Sequence, residues 1–204
     1  MGERMTGVFR GILIPLFGRP RGILGRLGGI IMAYANESCG VWVAELLQIE
    51  PSDSVLEVGF GPGVTIQYLS RLAPTGRVAG VDPSLEMVAQ ARTRNAAAIS
   101  SGRVNVQVGS AERLPFDDNS FDKVLTINSM QVWSNRAAGL REVYRVLKPT
   151  ARVALGFTIY SGQRSEGLLE TLTAAGFANA KVAEKEKWFC ALASKPPSTF
   201  NSRV

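Results

Sequence analysis

The chain contains no histidine. That removes the commonest general base, the commonest metal ligand and the side chain that titrates at physiological pH. Ser-His-Asp and Cys-His chemistry are excluded with it. There are only two cysteines, Cys39 and Cys190. They have no metal-ligand spacing and make no disulfide framework, so two free thiols in a cytoplasmic protein are expected. A zinc or iron site would have to rest on carboxylates and these two distant cysteines, and no metal is expected. No apolar run reaches the roughly 18 residues of a spanning helix. The short stretch Gly11 to Phe17 is broken by Pro15 and lacks a small-residue cleavage site, so it does not read as a signal peptide.

What is present suits one α/β domain. The 204 residues suffice for one real core and are short for two. The net charge of +6 is unevenly spread. In residues 1–36, five arginines (Arg4, Arg10, Arg19, Arg21, Arg26) stand against the single acid Glu3, leaving +4 there. Such a basic excess can serve nucleic acid or an anionic membrane, or be a solvated surface.

From about residue 41 onward, short apolar runs alternate with amphipathic stretches, the pattern of a parallel sheet covered by helices. Helices are expected at about 36–48, 63–73, 83–100 and 135–147, and around Leu168–Ala175. The second helix should bury a face of Val64, Tyr68, Leu69 and Leu72. Pro83 suits a first turn, and Pro149 should stop the fourth helix. Strands are expected at about 53–59, 77–82, 104–108, 121–128 and 152–157. The strict alternation of Val104, Val106 and Val108 suits an edge strand. Two last strands, about 178–185 and 187–194, are joined so tightly that they must form an antiparallel hairpin.

The chemistry concentrates at three strand ends. The first is Glu57-Val58-Gly59-Phe60-Gly61-Pro62-Gly63. A glycine-rich turn between a strand and a helix lets a ligand approach the backbone, although alone it can be a mere tight turn. The second is Asp82, 19 residues after Gly63. A carboxylate there can accept both hydroxyls of a ribose, or cap the helix that follows. The third is Gly109 to Phe116, which sets small residues and free backbone groups where a purine could lie.

Together these segments resemble the class I S-adenosylmethionine-dependent methyltransferases, and most of all the subgroup that holds the ubiquinone/menaquinone C-methyltransferases. The resemblance covers about residues 36–194. It rests on E-V-G-x-G-x-G, V-D-P-S, A-E-x-L-P-F, F-D-x-V and R-V-L-K-P, which occur in that order. It implies a Rossmann-like α/β fold with a seven-stranded, mostly parallel sheet of order 3-2-1-4-5-7-6. Strand seven would be antiparallel, and helices would cover both faces. It implies S-adenosyl-L-methionine as cofactor. Gly59, Gly61 and Gly63 would hold the methionine part, with Glu57 near its ammonium. Asp82, followed by Pro83, would hold the ribose, and Met87 would pack on the adenine. Ala111 would offer its backbone to the adenine edge, and Asn128 with Ser129 would face the methionine moiety. The family often has an aspartate before the alanine; here Ser110 stands, so its hydroxyl or Glu112 must serve instead.

The residues also favour a cation independently. The donor carries a sulfonium and an ammonium against one carboxylate, which suits Glu57 and Asp82 better than a pyrophosphate would. The spacing is G-x-G-x-G, not the G-x-G-x-x-G of dinucleotide loops, which disfavours a nicotinamide-dependent oxidoreductase. A binding or regulatory subunit without catalysis is the other alternative.

The acceptor is less legible. Without histidine, a carboxylate or tyrosinate must serve as base, or positioning alone suffices. A small, lipophilic or aromatic acceptor is expected, with Tyr34, Gln131, Trp133 and Tyr160 as candidate contacts. The short stretch Thr158 to Arg164 leaves the cover to residues 1–35. That segment reads as a lid, as a peripheral membrane contact, or as packing on a partner subunit of a homodimer. Residues 36–195 form the methyltransferase domain and 196–204 a frayed tail. After the fourth strand stands Asn128-Ser129-Met130-Gln131, not N-P-P-Y or D-P-P-Y, so nucleic acid is not expected as substrate.

Overall fold

A computed structural model describes residues 36–198. Tyr34, the segment 1–35 and the end of the tail, 199–204, lie outside the described residues. In chain order the elements are α1 (36–47), β1 (Ser54–Val58), α2 (Val64–Leu72), β2 (Arg77–Asp82), α3 (Leu85–Arg94), α4 (Ala96–Ser100), β3 (Val104–Val108), β4 (Phe121–Ile127), α5 (Arg136–Val146), β5 (Leu147–Thr158), α6 (Leu168–Ala174), β6 (Ala178–Lys185) and β7 (Trp188–Ser194). The seven strands form one sheet of order β3-β2-β1-β4-β5-β7-β6. β1 to β5 are mutually parallel, and β7 runs antiparallel to both β5 and β6. This is the expected order, including the terminal hairpin.

Successive strand residues point to opposite faces, so two cores result. Leu56, Val58, Val124, Val153 and Leu155 pack under α5 and α6 with Leu140, Val143 and Leu172. Val55, Leu125, Ala154 and Leu192 pack on the other face under α1, α2 and α3 with Val43, Leu47, Ile66 and Ala91. Cys39 and Cys190 belong to this second core and are free and buried, and burial pushes the Cys39 thiol up to about 12.

The structure departs from the expected elements in four places. α2 buries Thr65, Ile66, Leu69 and Ser70, so its core stripe lies beside the predicted one, with Val64 and Tyr68 only half-buried. The helix after β2 begins at Leu85, because Ser84 caps it by accepting the Met87 N–H at 3.4 Å. That helix does not run to 100. Asn95 leaves the helical path, and its Nδ2 donates to Ala91 O at 2.9 Å and to Gly63 O at 3.1 Å. α5 ends at Val146, since Pro149 holds the residue before it extended. β5 therefore starts at Leu147, and a step of five residues from Leu147 to Arg152 is set against a step of two from Phe121 to Lys123.

Two of the sequence motifs prove to be staples. Lys148 donates to both oxygens of Asp122, at 2.9 and 2.8 Å, and Asp122 also accepts the Ser54 N–H. Arg145 donates to Glu142, Asp118, Phe116 O and Leu114 O, all within 2.9 Å. One planar guanidinium thus fixes the whole loop after β3 to α5. Arg145→Lys keeps the charge but not the fork. Thermal unfolding should show a loss of about 1–3 kcal/mol, and proteolysis should begin within 112–119.

Candidate functional site

The parallel strands all end on one edge, where a cavity of about 480 Å³ opens. A volume of this size suits one small molecule. β1 passes into Gly59, whose N–H donates to Val81 O at 2.7 Å. Gly59 has φ +77, and a Cβ there would lie 2.0 Å from Ser129 Oγ. Only glycine fits, in conformation and in space. Gly63, at φ +78, is the residue before α2, and its Cβ would meet Ala91 at 2.6 Å. Its role is packing: Gly63 does not line the cavity, whereas Gly59 and Gly61 do.

Two carboxylates lie at the bottom. Asp82 Oδ2 accepts the Gly61 N–H and Oδ1 accepts the Ser84 N–H, each at 2.9 Å. This ties β2 to the glycine turn. Burial pushes its carboxyl up to about 6, against the pull of those two N–H groups. Glu57 is 1% exposed, and its Oε2 has no hydrogen-bond partner among the described residues. Burial raises its pKa well above the usual range, opposed by a hydrogen bond to Thr65 and reinforced by Asp82. A buried carboxylate with an unpaired oxygen is costly unless a cation or proton donor meets it.

The other lining carboxylates are Glu37, Glu86 and Glu112, and among the described residues no lysine or arginine lines the cavity. Its charge suits a cationic ligand. Glu112 Oε1 accepts the Asn135 N–H at 3.0 Å. Burial works to raise its carboxyl, but the Asn135 N–H and the Ser110 hydroxyl hold it below the usual range. Pro83, Met87, Ser110 and Ala111 also line the cavity. Met87 is 2% exposed and contributes its body to one wall.

Asn128 stands at the end of β4 in the left-handed region, φ 47. Its Nδ2 donates to Asn36 Oδ1 at 2.7 Å and to Thr158 Oγ1 at 2.9 Å, and its Oδ1 accepts the Thr158 N–H. The amide therefore clamps α1, β4 and β5 together at the cavity. Trp133 lines the cavity, its Nε1 donating to Ser129 Oγ at 2.9 Å. Gln131 does not line it; its Nε2 donates to Asn128 O at 2.7 Å. Tyr160 is 77% exposed and outside the lining.

Sequence reasoning missed Thr65, Asn95, Asn36 and Glu37. Thr65 stands in the first turn of the helix that the glycine loop opens, the one local signal that could have found it. Asn36 and Glu37 come from α1, and only the tertiary fold brings them there. Among the described residues no cluster of His, Cys, Asp and Glu could hold a metal ion. No described helix is long and apolar enough to cross a membrane.

Known proteins match the same region. A methyltransferase domain model matches residues 55–150. The uncharacterized methyltransferase YdaC of Bacillus subtilis is 30% identical over 182 residues, covering 83% of this chain and 98% of that protein. The ubiquinone/menaquinone biosynthesis C-methyltransferase UbiE of Geotalea daltonii is 36% identical over 110 residues, 53% of this chain and 47% of that enzyme. The chain thus matches about half the length of this second relative. The crystal structure of a SAM-dependent methyltransferase from Aquifex aeolicus shares the fold, with a TM-score of 0.67 at 24% identity, over 76% of this chain and 88% of that one.

Proposed function

Because the chain belongs to the class I S-adenosylmethionine-dependent methyltransferases, we propose that it methylates a small lipophilic or aromatic acceptor by positioning, without a histidine base. The observation that carries this is Glu57: a buried carboxylate with an unpaired oxygen, in a cavity with no lysine or arginine among its described lining residues. Such a site fits the donor's ammonium and sulfonium. We assign Glu57 to the ammonium and Asp82 to the ribose hydroxyls. Each Asp82 oxygen already accepts one backbone N–H and keeps a second lone pair for a hydroxyl. Met87 is assigned to the adenine face and the backbone of Ala111 to its edge. Ser110 bonds Glu112, which in turn holds Asn135, so these two shape the adenine end rather than both reaching into it. The Asn128 amide is spent on Asn36 and Thr158; its place in this reading is to hold the acceptor end rigid.

When bound, the donor supplies a methyl group on a sulfonium that is already a good leaving group. What remains for the protein is orientation, worth up to about 7–11 kcal/mol, and exclusion of water. Ile127, Val132 and Trp133 give the acceptor end apolar walls, which supports a lipophilic or aromatic acceptor. The relative named for ubiquinone/menaquinone C-methylation agrees with that class.

The pH dependence has a definite sign. Burial pushes the Asp82 carboxyl up to about 6 in the ligand-free protein and raises that of Glu57 well above the usual carboxylate range. Glu57 must be ionised to hold the ammonium, and an ionised Asp82 accepts both ribose hydroxyls. Affinity for S-adenosylmethionine should therefore fall as pH drops below 6, by about tenfold per pH unit for each group that must ionise. The ligand-free protein behaves oppositely. A carboxyl raised on folding stabilises it at low pH, and that contribution is lost as pH rises through about 6. Binding isotherms and melting curves between pH 5 and 8 check both.

The acceptor class is tested with labelled cofactor against lipophilic quinols, phenols, thiols and amines. Label transferred to one of the apolar aromatic acceptors is expected. Transfer only to polar aliphatic acceptors or to RNA would overturn the reading.

A further inference from the structure

Gly139 lies inside α5 and is buried. Glycine is the poorest helix former after proline, so the helix itself does not call for it. Trp133 does. A Cβ at position 139 would overlap Trp133 Cε3 and stand 2.7 Å from Cζ3. The six-membered ring of the indole thus rests on the bare backbone of α5. Gly139 does not line the cavity, whereas Trp133 does.

The indole is held from its other side too. Nε1 donates to Ser129 Oγ at 2.9 Å. Ser129 is in turn backed by Gly59, whose missing Cβ leaves room for that hydroxyl. The Trp133 backbone is fixed as well, its N–H donating to Met130 O at 3.2 Å. α5 has little room to yield. Leu140 and Val143 anchor it in the core, and the N–H of its capping residue Asn135 donates to Glu112. The open space beside half-buried Trp133 is the cavity, at the end walled by Ile127 and Val132. A side chain at 139 therefore drives the ring off its seat and into that end, because a packed site relieves an added methyl through its most mobile neighbour.

We propose that Gly139 is a positioning residue for the acceptor: it seats the Trp133 indole in the cavity wall and so sets the width of the acceptor end. It acts through Trp133 alone and touches neither donor nor acceptor. The proposal rests on the proposed function and deepens it, since it names what limits the acceptor that the site admits. One arm of its test needs no acceptor, so the two readings fail separately.

That arm uses the full chain labelled with 6-fluorotryptophan. Trp133→Phe identifies the fluorine resonance of Trp133. In Gly139→Ala this resonance should shift and become more sensitive to exchange of water for heavy water. Those of Trp42 and Trp188, paired 6.0 Å apart on the other face of the sheet, should stay in place. An unmoved Trp133 resonance, or an equal shift of all three, would overturn the proposal.

The second arm follows methylation of phenol, 1-naphthol and 1-anthrol with labelled S-adenosylmethionine. Gly139→Ala should raise KM for the largest acceptor that the wild type methylates by about tenfold or more. KM for the smallest, and kcat for both, should change little. Adding Trp133→Phe to Gly139→Ala should restore the larger acceptor. Equal losses for all acceptors, or no restoration, would mean that Gly139 serves stability alone and would overturn the proposal. Should Gly139→Ala not fold, Trp133→Phe alone decides: the ratio of KM for the largest to the smallest acceptor should fall, and an unchanged ratio overturns the proposal. Should the wild type methylate none of the three, the acceptor reading fails, and the fluorine resonances still decide the role of Gly139.

Discussion

Glu57→Gln should nearly abolish binding of S-adenosylmethionine while raising the melting temperature of the ligand-free protein. The two effects have one cause. Glu57 is buried, with Oε2 unpaired. In the empty protein its ionised form costs free energy, which is why burial raises its pKa. Glutamine is nearly isosteric and never ionises. It removes that cost, and each kcal/mol recovered is worth about 2–4 °C in a chain of this size. With the donor present the balance reverses. The ammonium then faces a neutral amide, and loss of a buried charge partner costs about 2–5 kcal/mol, roughly thirtyfold to several thousandfold in affinity. Binding by the wild type should also release protons, since burial favours the protonated carboxyl in the empty site and the ammonium favours the ionised one. The heat of binding should then vary with the ionisation enthalpy of the buffer, and much less so in the variant. A variant that both melts lower and binds normally would place the ammonium elsewhere.

Gly59→Ala should be the most damaging single change in the glycine turn. An alanine at φ +77 costs about 1–2 kcal/mol in conformation alone. Its Cβ would also stand 2.0 Å from Ser129 Oγ and 2.5 Å from Ser129 Cβ. Relieving that overlap moves either β1 or the turn after β4, at about 1–3 kcal/mol more. The melting temperature should drop on the order of 10 °C, and binding should be lost with it. Ser129→Gly removes both clashing atoms, so the double variant should recover the steric part and keep the conformational part. The two changes should therefore be strongly non-additive in a double-mutant cycle of thermal stabilities. Simple additivity would mean that Gly59 and Ser129 do not press on each other.

The terminal hairpin, the edge strand and the cavity edge were legible because their signals are local, whereas the full strand order came from the family resemblance. The alternation of Val104, Val106 and Val108 marked an edge strand, and β3 is one. The join near residue 186 required an antiparallel hairpin, and β6 and β7 form it. Glycine turns and strand-end carboxylates are equally local, so Glu57, Gly59, Gly61 and Asp82 could be placed on one cavity from the sequence. What stayed hidden depends on tertiary partners. Nothing in the sequence near Asn95 says that its amide will reach Gly63 O, and that reach breaks the helix expected to run to residue 100. Asn128 illustrates the same limit, because its clamp to Asn36 joins residues 92 positions apart. Arg145 and Lys148 were read as part of a family signature; only their contacts with the loop after β3 and with Asp122 show that they hold the scaffold.

The most direct test is calorimetric titration of the wild type, Glu57→Gln and Asp82→Ala with S-adenosylmethionine and S-adenosylhomocysteine at pH 7.5. Saturable one-to-one binding of both ligands is predicted for the wild type, with severe weakening in both variants. No binding of either ligand by folded wild-type protein would contradict the assignment of this cavity to the methyl donor.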